Sequence, residues 1–295
     1  MTRLEIEAFL MTIQCGSISA ASEKLYVTQP ALSRRLRALE EELGYPLLIR
    51  NKGIRSITLT EEGQAFVAVA EKLKHIYREA EAISNLKQNP ILNLASIGSV
   101  STYVLPNVLR QIISDETQYN LCFHQYHSFE SYGYVESGLV DIALISDDMY
   151  SKNVSTIPAF QEPFVLVGGS SWDHVSRIHP SELDPRQEIR LPWNPEFDNW
   201  HEKWFDVTIY PKVQLDQMSL LEEFLTGDHY AIVPLLVARK LKGGNLNICE
   251  LDSGPEDEII YYLTCGTKKK EMIEHFLHLL HKELIQTDGV KSFLA

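Results

Sequence analysis

Apolar residues in the first third of the chain recur at the spacing of amphipathic helices. The first stripe predicts a helix over residues 3–15 that ends near Gly16, and Ser17 can cap a short second helix. Thr28 is a good N-cap, and Pro30 fits the first turn of a third helix because its missing N–H costs nothing there. The inward positions of these helices are Ile6, Phe9, Leu10 and Ile13, then Ile18, Ala21 and Leu25, then Leu32, Leu36, Leu39 and Leu43.

A hairpin and a long helix follow. Residues 47–50 and 56–59 predict two short strands joined by a turn that contains Gly53, which would form a wing beside the third helix. Thr60 can then cap a helix over residues 61–87 whose apolar positions alternate in spacing between three and four residues, the pattern of helices that pair. These positions are Phe66, Val69, Leu73, Ile76, Ala80 and Ile83. We expect this stripe to form a dimer contact; the alternative is that it packs on its own domain.

After residues 87–90 the pattern changes to strands that alternate with helices. Strands are predicted over 92–97, 119–126 and 141–145, and helices over 101–114 and 130–137. A second series covers 164–167, 188–191, 212–215, 219–226, 231–233 and 235–241, with a last strand near 260–265 and a helix over 269–284. Such alternation predicts an α/β fold with a parallel, doubly wound sheet.

Charge is distributed unevenly along these 295 residues, whose formal net charge is -13. Residues 1–60 carry eight Lys and Arg against six acids, so the negative charge lies in the remainder. Within the third helix, Arg34, Arg35 and Arg37 precede the acidic run 40–42, which confines positive charge to the N-terminal half. Since that half enters the major groove in helix-turn-helix proteins, the head is predicted to bind DNA.

Composition excludes other classes of protein. A hydrophobic fraction of 44% and a charged fraction of 23% are ordinary for a folded protein. No apolar run approaches the roughly 18 residues of a membrane helix, and Glu5 stands where a secretory signal needs apolar residues, so we expect a cytoplasmic protein that does not enter membranes. The cysteines lack the close spacing of zinc or redox sites, and we interpret them as buried thiols, with no cofactor and no metal. They are Cys15, Cys122, Cys249 and Cys265.

Four runs occur in order between residues 3 and 65. They are 16–25 (GSISAASEKL), 28–33 (TQPALS), 39–44 (LEEELG) and 57–63 (ITLTEEG). Together they closely resemble the LysR-type transcriptional regulators. One departure is Leu48, where the family usually has phenylalanine; leucine still fills an apolar site, so we expect a repacked strand with little functional consequence.

The resemblance implies a winged helix-turn-helix head, a long linker helix that pairs two heads, and a two-lobed α/β effector domain similar to a periplasmic binding protein. The expected boundaries are 1–60 for the head, 61–87 for the linker and dimerisation helix, 91–161 with 266–295 for lobe 1, and 162–265 for lobe 2. The similarity in the effector domain is looser than in the head, and rests on the order of its elements and on runs such as 103–106 (YVLP) and 140–144 (VDIAL).

The candidate DNA-binding residues lie at the starts of the second and third helices and in the wing. The first group is Ser17, Thr28, Gln29, Pro30, Ser33, Arg34 and Arg37, and the wing adds Arg50, Lys52 and Arg55. The helix residues would dock in the major groove and the wing cations on phosphates or in the minor groove. A homodimer or tetramer of such heads would read an inverted repeat in promoter DNA.

The candidate effector site follows from a rule of open α/β sheets, which bind ligands outside the carboxyl ends of their strands. The residues predicted there are Ser99, Ser101, Thr102, His127, Ser128, Asp147, Trp193, Met218 and Ser219. Each also has a structural interpretation: serines at helix starts cap helices, His127 can be a satisfied polar residue, and Trp193 can belong to the core. Asp147 and Asp148 disfavour a purely anionic effector and suggest a zwitterion, an amine or a hydroxylated ligand.

Other chemistry finds little support. His275, His278 and His281 lie on the last predicted helix, but their spacing drifts around it and favours a solvated face over a metal site. We find no catalytic set. The leading hypothesis is a sequence-specific, effector-controlled transcription regulator that is not an enzyme. One alternative is a cleft-type solute binder or enzyme with an appended DNA-binding head, and another is an architectural DNA binder without an effector.

Overall fold

The structure is a computed structural model that describes residues 1–49, 57–83, 90–114, 119–241, 246–266 and 269–294, with the backbone alone for 78, 79 and 81–83. The chain divides into two compact units, Met1–Gln88 and Asn89–Ala295. We call the first unit the head and the second the C-terminal unit.

The head contains the helices and the hairpin that the sequence predicts. Its elements are α1 (Arg3–Cys15), α2 (Ile18–Lys24), α3 (Gln29–Leu43), β1 (Leu48–Ile49), β2 (Thr58–Leu59) and α4 (Glu61–Ile83). Gly16 ends α1 in the left-handed conformation, with φ 65°. Among the described residues, Leu48 pairs with Leu59 and Ile49 with Thr58, antiparallel. The turn between them, which carries Arg50, Lys52 and Arg55, lies outside the described residues.

The first turns of α4 belong to the core of the head. The Phe66 side chain is 4% exposed and its ring centroid lies 5.4 Å from that of Phe9 on α1. Ala70 is also buried, beside Leu32 and Leu36 of α3. Phe66 was predicted to contact a second copy, but its burial means that it packs on its own domain, as in the alternative interpretation.

The C-terminal unit has the following elements in chain order. They are β3 (Ile91–Ser96), α5 (Leu105–Ser114), β4 (Asn120–Gln125), α6 (Ser128–Glu136), β5 (Ile142–Ile145), β6 (Ser155–Glu162), β7 (Phe164–Gly168), β8 (Arg177–Ile178), β9 (Ile189–Arg190), α7 (Pro195–Trp204), β10 (Val213–Gln214), α8 (Leu221–Phe224), β11 (Tyr230–Pro234), α9 (Leu235–Lys240), β12 (Asn247–Leu251), β13 (Glu258–Thr264), α10 (Lys270–Leu284) and β14 (Lys291–Ser292).

Two main sheets define two lobes. The sheet of lobe 1 has the order β14-β6-β13-β5-β3-β4, and the sheet of lobe 2 has the order β11-β7-β12-β8. Parallel pairing is found between β8 and β12 and between β9 and β10, and in the lobe 1 sheet among β4, β3 and β5. The lobe 1 sheet is not parallel throughout, because β13 runs antiparallel to both β5 and β6. Residues 258–264, within the range expected for lobe 2, therefore form a strand of the lobe 1 sheet.

The two lobes share side chains across their boundary. Tyr103, which precedes α5 in a short π-helix (Val100–Val104), packs in the apolar cluster of lobe 2 with Val165 and Val167. Leu236 of α9 packs in the cluster of lobe 1. A π-helical turn is rare and often lies at a functional site, so this boundary is the natural place to look for one.

Candidate functional site

The basic face of the head is positioned by the caps and the buried stripe of α3. The Thr28 hydroxyl accepts a hydrogen bond from the Ala31 N–H at 3.4 Å, and Leu32, Leu36 and Leu39 are buried. Arg34 and Arg37 consequently lie on the opposite side of the helix and are exposed. Among the described residues no carboxylate lies within ion-pair distance of either guanidinium, so both remain available to an anion.

The other predicted residues of this surface have partly structural roles. Ser17 caps α2 by accepting a hydrogen bond from the Ala20 N–H at 3.2 Å. The Gln29 amide donates a 2.8 Å hydrogen bond to the hydroxyl of Ser19, and so ties α3 to α2. Pro30 is exposed and Ser33 is half-buried on the same helix. The hydroxyls of Ser17 and Thr28 thus fix the helix starts, whatever else they contact.

Sequence reasoning missed two features of the head. Tyr26, in the turn between α2 and α3, is 96% exposed. Its backbone φ is 54°, a positive value that residues other than glycine rarely adopt. Glu40 was grouped with the acids that end the basic surface, yet its carboxylate accepts hydrogen bonds from the N–H groups of Leu47 and Leu48, at 2.9 and 3.2 Å. Glu40 therefore joins the end of α3 to the first strand of the wing.

Beyond Phe66, the apolar stripe of α4 turns away from the core. Val69 and Ile76 are each 48% exposed, Ala80 is exposed, and Leu73 is half-buried at the edge of the core. The side chain of Ile83 lies outside the described residues. The helix also borders a groove of about 480 Å³ against α1. Its lining combines the apolar Leu10, Met11, Ile13, Leu25 and Val67 with the polar Glu7, Gln14, Glu71 and Lys74.

At the boundary of the lobes, the predicted effector residues divide between a cavity and the protein interior. Thr102 and Ser219 both line a pocket of about 430 Å³, whose wall also holds Arg110 and Lys240. Asp147 lines a second pocket, of about 290 Å³. Ser99, Ser128 and Met218 are buried, at 4%, 4% and 8% exposure, and line neither pocket.

Other predicted effector residues make internal contacts. The Ser101 hydroxyl donates to the Gly98 carbonyl at 2.9 Å and lies 3.2 Å from the amide oxygen of Gln125. The Trp193 indole N–H donates to the Ile232 carbonyl at 2.9 Å and its ring packs on Phe164, as in its core interpretation. His127 is exposed and caps α6.

Tyr103 is a boundary residue that sequence reasoning did not single out. Its hydroxyl donates to the Met218 carbonyl at 2.8 Å, and burial, aided by the nearby charge of Glu222, raises the pKa of this phenol to about 12. A second bridge joins α9 to α5 and α10, where the buried Glu283 carboxylate accepts from Lys240 at 2.5 Å and Asn107 at 2.8 Å. Both contacts link distant parts of the chain and leave no local pattern in the sequence.

Two of the three histidines of α10 have hydroxyl partners. His275 lies 2.8 Å from the Tyr119 hydroxyl and His281 lies 2.9 Å from the Ser292 hydroxyl. In the described part of the chain, no group of three or more His, Cys, Asp or Glu is arranged to hold a metal ion. Nor is any helix of that part long and apolar enough to cross a membrane.

Two family descriptions match the chain. Residues 4–64 match "Bacterial regulatory helix-turn-helix protein, lysR family", and residues 87–285 match "LysR substrate binding domain". The second match alone spans more than half of the chain.

Curated relatives resemble part of the sequence. The uncharacterised HTH-type transcriptional regulator YxjO of Bacillus subtilis (strain 168) is 32% identical over 146 residues, which are 48% of this chain and 50% of that protein. The hca operon transcriptional activator HcaR of Escherichia coli (strain K12) is 27% identical over 163 residues, 54% of each protein. The chain thus spans about half the length of the curated relatives it matches.

Solved structures resemble it over nearly its whole length. CbnR, a LysR family transcriptional regulator, aligns with a TM-score of 0.71 at 19% identity, covering 96% of this chain and 99% of CbnR. CbnR complexed with its target DNA aligns with a TM-score of 0.68 at 19% identity, covering 96% of this chain and 100% of that one. A full-length OxyR variant of Pseudomonas aeruginosa gives 0.61 at 20% identity, with 95% of both chains covered. At these identities the likeness shows a shared fold.

Proposed function

The chain belongs to the LysR family of transcriptional regulators, and from that premise we propose that it binds promoter DNA through its head and a small effector between the lobes of its C-terminal unit. The family consists of DNA-binding regulators with an effector-binding domain and not of enzymes, which argues against an enzyme with an appended head. Acting on promoters, the protein would work in the cytoplasm.

The observation that carries the proposal is the basic face of α3, whose Arg34 and Arg37 have no ion-pair partner among the described residues. Arg34 and Arg37 are exposed on the half of the helix that precedes the acidic residues. An exposed guanidinium without a carboxylate partner can bind bases bidentately or neutralise phosphate. In our proposal Gln29, Pro30 and Ser33 dock beside these arginines in the major groove, and Arg50, Lys52 and Arg55 of the wing hold the backbone.

We further propose that the heads act as a homodimer, or as pairs within a tetramer. The exposed stripe of Val69, Ile76 and Ala80 and the partly apolar groove between α1 and α4 have no cover within the described head. A second copy of the same helix supplies matching apolar side chains. Two symmetric heads would then contact an inverted repeat.

Selection of bound fragments from sheared genomic DNA, followed by footprinting of the full chain, tests this proposal. We expect two protected half-sites separated by about one helical turn or a multiple of it. A single protected patch at saturating protein would contradict the dimeric arrangement, and binding without any sequence preference would contradict a regulatory role.

The effector part of the proposal rests on the pockets at the lobe boundary. A ligand there touches both lobes and can favour one of their relative positions, provided that it binds the two arrangements with different affinity. Thr102, Asp147 and Ser219 are the predicted residues that line these pockets. In our proposal the buried residues Ser99, Ser128 and Met218, which line neither pocket, support the lining residues from behind.

A further inference from the structure

One turn of the head has a bulky side chain in a strained backbone conformation. The helices α1 and α3 end at Gly16 and Gly44, whose φ values of 65° and 80° are left-handed. The turn after α2 adopts the same conformation at Tyr26, with φ 54°. A Cβ atom is disfavoured in this region, whereas glycine adopts it freely. The head therefore has tyrosine at a position where glycine would be less strained.

The turn holds the Tyr26 side chain in solvent. The Tyr26 N–H donates to the Glu23 carbonyl at 3.2 Å and the Val27 N–H donates to the Ser22 carbonyl at 3.0 Å, so backbone hydrogen bonds fix the turn on both sides. Leu25 and Val27, the neighbours in the chain, pack against the core of the head. Tyr26 itself is 96% exposed, and its side chain makes no hydrogen bond or ring contact with the described residues.

Two other described residues with side chains are left-handed, and both make contacts within the protein. They are Ser253 and Lys269. The Lys269 ammonium group pairs with Asp141 at 2.8 Å, and the Ser253 carbonyl accepts from the Trp200 indole N–H at 2.7 Å. The side chain of Tyr26 has no internal contact of this kind. An observed strain without an internal reason is grounds for a hypothesis of function.

Tyr26 borders the surface that we propose for DNA. The exposed residues Thr28, Gln29 and Pro30 follow it and begin α3. The Gln29 amide donates to the hydroxyl of Ser19 on α2 at 2.8 Å, which joins the two helices beside the turn. A recognition helix enters the major groove by its N-terminal residues, while the helix before it crosses the DNA backbone. The turn that joins these helices therefore lies beside phosphates.

We propose that Tyr26 is a further DNA-contacting residue, whose phenolic hydroxyl donates a hydrogen bond to a backbone phosphate at the edge of each half-site. The inference rests on the proposed function and adds a contact that the basic face of α3 does not supply. A phenol donates a hydrogen bond without carrying charge, and tyrosine is among the side chains that bind DNA phosphates. The exposed neighbours Glu23 and Lys24 are opposite in charge, so the contact at this turn is that of a neutral donor.

A neutral donor affects DNA binding differently from a cation. Each phosphate that a cation neutralises releases counterions and steepens the salt dependence of binding. A hydrogen bond from a phenol releases none, so the salt dependence does not change with it. Because the backbone of the turn is hydrogen-bonded on both sides, the hydroxyl of Tyr26 is held at one place on the head. Its bond to a phosphate then fixes the register of α3 on the duplex.

Fluorescence anisotropy of the full chain with the selected DNA, over a range of salt concentrations, tests this contact. Tyr26→Phe keeps the ring and the backbone strain and removes only the hydroxyl. We expect it to bind about tenfold more weakly, as the loss of one hydrogen bond to a charged group does, with an unchanged logarithmic salt slope. Tyr210→Phe, at an exposed tyrosine of lobe 2, is the matched control and should keep the full affinity.

Tyr26→Gly separates the strain from the binding. It should raise the thermal unfolding midpoint by about 2–4 °C, because glycine relieves the left-handed conformation, and should bind DNA about tenfold or more weakly. Ser253→Gly, at an exposed left-handed residue of the C-terminal unit, relieves a similar strain and should leave the DNA affinity unchanged. A lower midpoint in Tyr26→Gly would contradict the strain from which the inference starts.

The phosphate is located with DNA in which single phosphates are replaced by methylphosphonates. We expect one position in each half-site at which the replacement weakens binding of the unmodified chain but not of Tyr26→Phe, because the two changes remove the same contact. The absence of such a position, or equal affinity of Tyr26→Phe and the unmodified chain, would overturn the inference. A loss of affinity in Tyr26→Gly alone would assign the contact to the ring and equally overturn the bond from the hydroxyl.

These outcomes are distinct from a failure of the proposed function. Tyr26 variants that bind like the unmodified chain, with specific binding by that chain intact, remove only the phenol contact. Absence of sequence-specific binding by the unmodified chain in the DNA selection described above removes the proposed function itself.

Discussion

The phenolic hydroxyl of Tyr103 donates a 2.8 Å hydrogen bond to the backbone carbonyl of Met218. Tyr103 precedes α5 of lobe 1, yet its ring is 6% exposed and packs among the apolar side chains of lobe 2. This side chain therefore connects the two lobes by both apolar packing and a hydrogen bond. Its contact ends beside Ser219, one of the residues that line the pocket between them.

Tyr103→Phe keeps the buried ring and removes the hydroxyl, so the Met218 carbonyl loses its donor. We expect a loss of about 1 kcal/mol in the free energy of unfolding, the usual net value of one hydrogen bond. Urea unfolding followed by fluorescence measures it. Tyr210→Phe, at a side chain that is 86% exposed, is the control and should leave the free energy of unfolding unchanged. Equal effects at both positions would contradict a stabilising hydrogen bond from Tyr103 to Met218.

The dimer surface is tested by a charge in the exposed stripe of α4. Ile76→Asp should raise the dimer dissociation constant about tenfold or more, because it buries an unpaired carboxylate in an apolar contact. Sedimentation velocity over a range of protein concentrations provides the measurement. Val207→Asp alters a lobe 2 side chain that is 73% exposed and should leave the oligomer intact. An unchanged dimer in Ile76→Asp would place the pairing surface elsewhere.

Close backbone packing explains why the 57–63 run has glycine at position 63. A Cβ at this position would collide with the backbone carbonyl oxygen of Leu47, so α4 approaches the hairpin more closely than any other residue allows. We expect Gly63→Ala to destabilise the head by about 1–3 kcal/mol, as overpacking does. Gly133→Ala, in the helix α6 with open space around it, should stabilise its unit by about 0.5–1 kcal/mol. Thermal unfolding of each variant measures the change in stability, which we expect to be a loss for Gly63→Ala and a gain for Gly133→Ala.

Burial raises the pKa of Glu258, which is 1% exposed, and so makes stability depend on pH. Between the ordinary value of 4.5 and about 8, the folded chain keeps a proton that the unfolded chain has released. Stability should therefore fall as pH rises through this window. The buried Glu162 adds to the same trend, since burial and then the charge of Glu258 raise its pKa well above the usual value.

Glu258→Gln removes the titrating group but keeps its volume. We expect a flatter pH profile and a more stable protein at the upper end of the window, measured by urea unfolding at several pH values. Glu202→Gln, at an exposed carboxylate on α7, serves as the control with an unaltered profile. A profile in Glu258→Gln as steep as that of the unmodified chain would show that Glu258 is ionised throughout.

The head was largely predictable because its signals are local. The stripe of Leu32, Leu36 and Leu39 and the cap at Thr28 fix α3 from residues within a few turns of one another. Local signals did not predict that Phe66 packs in the core of its own head. A heptad spacing gives the face on which a residue lies, but whether that face meets its own domain or another copy depends on where α1 packs.

The boundary between the lobes was predicted in position more than in detail. Asp147 and Ser219 follow from the rule about strand ends, and both line pockets. Glu258 could not be found, because its alternating strand gives no sign that a carboxyl is enclosed between neighbours that are distant in sequence. Trp193 shows the reverse case, in which a residue at the predicted place is held by the core.

The central claim is that α3 presents unpaired cations to DNA. Its most direct test is the salt dependence of binding by Arg34→Ala/Arg37→Ala to the selected DNA, compared with Arg177→Ala/Arg186→Ala, which removes two exposed cations of lobe 2. We expect the head variant to bind about tenfold or more weakly, with a logarithmic salt slope shallower by about 0.9 for each phosphate that is no longer neutralised. The lobe 2 variant should match the unmodified chain. Affinity and slope that stay unchanged in the head variant would contradict the claim.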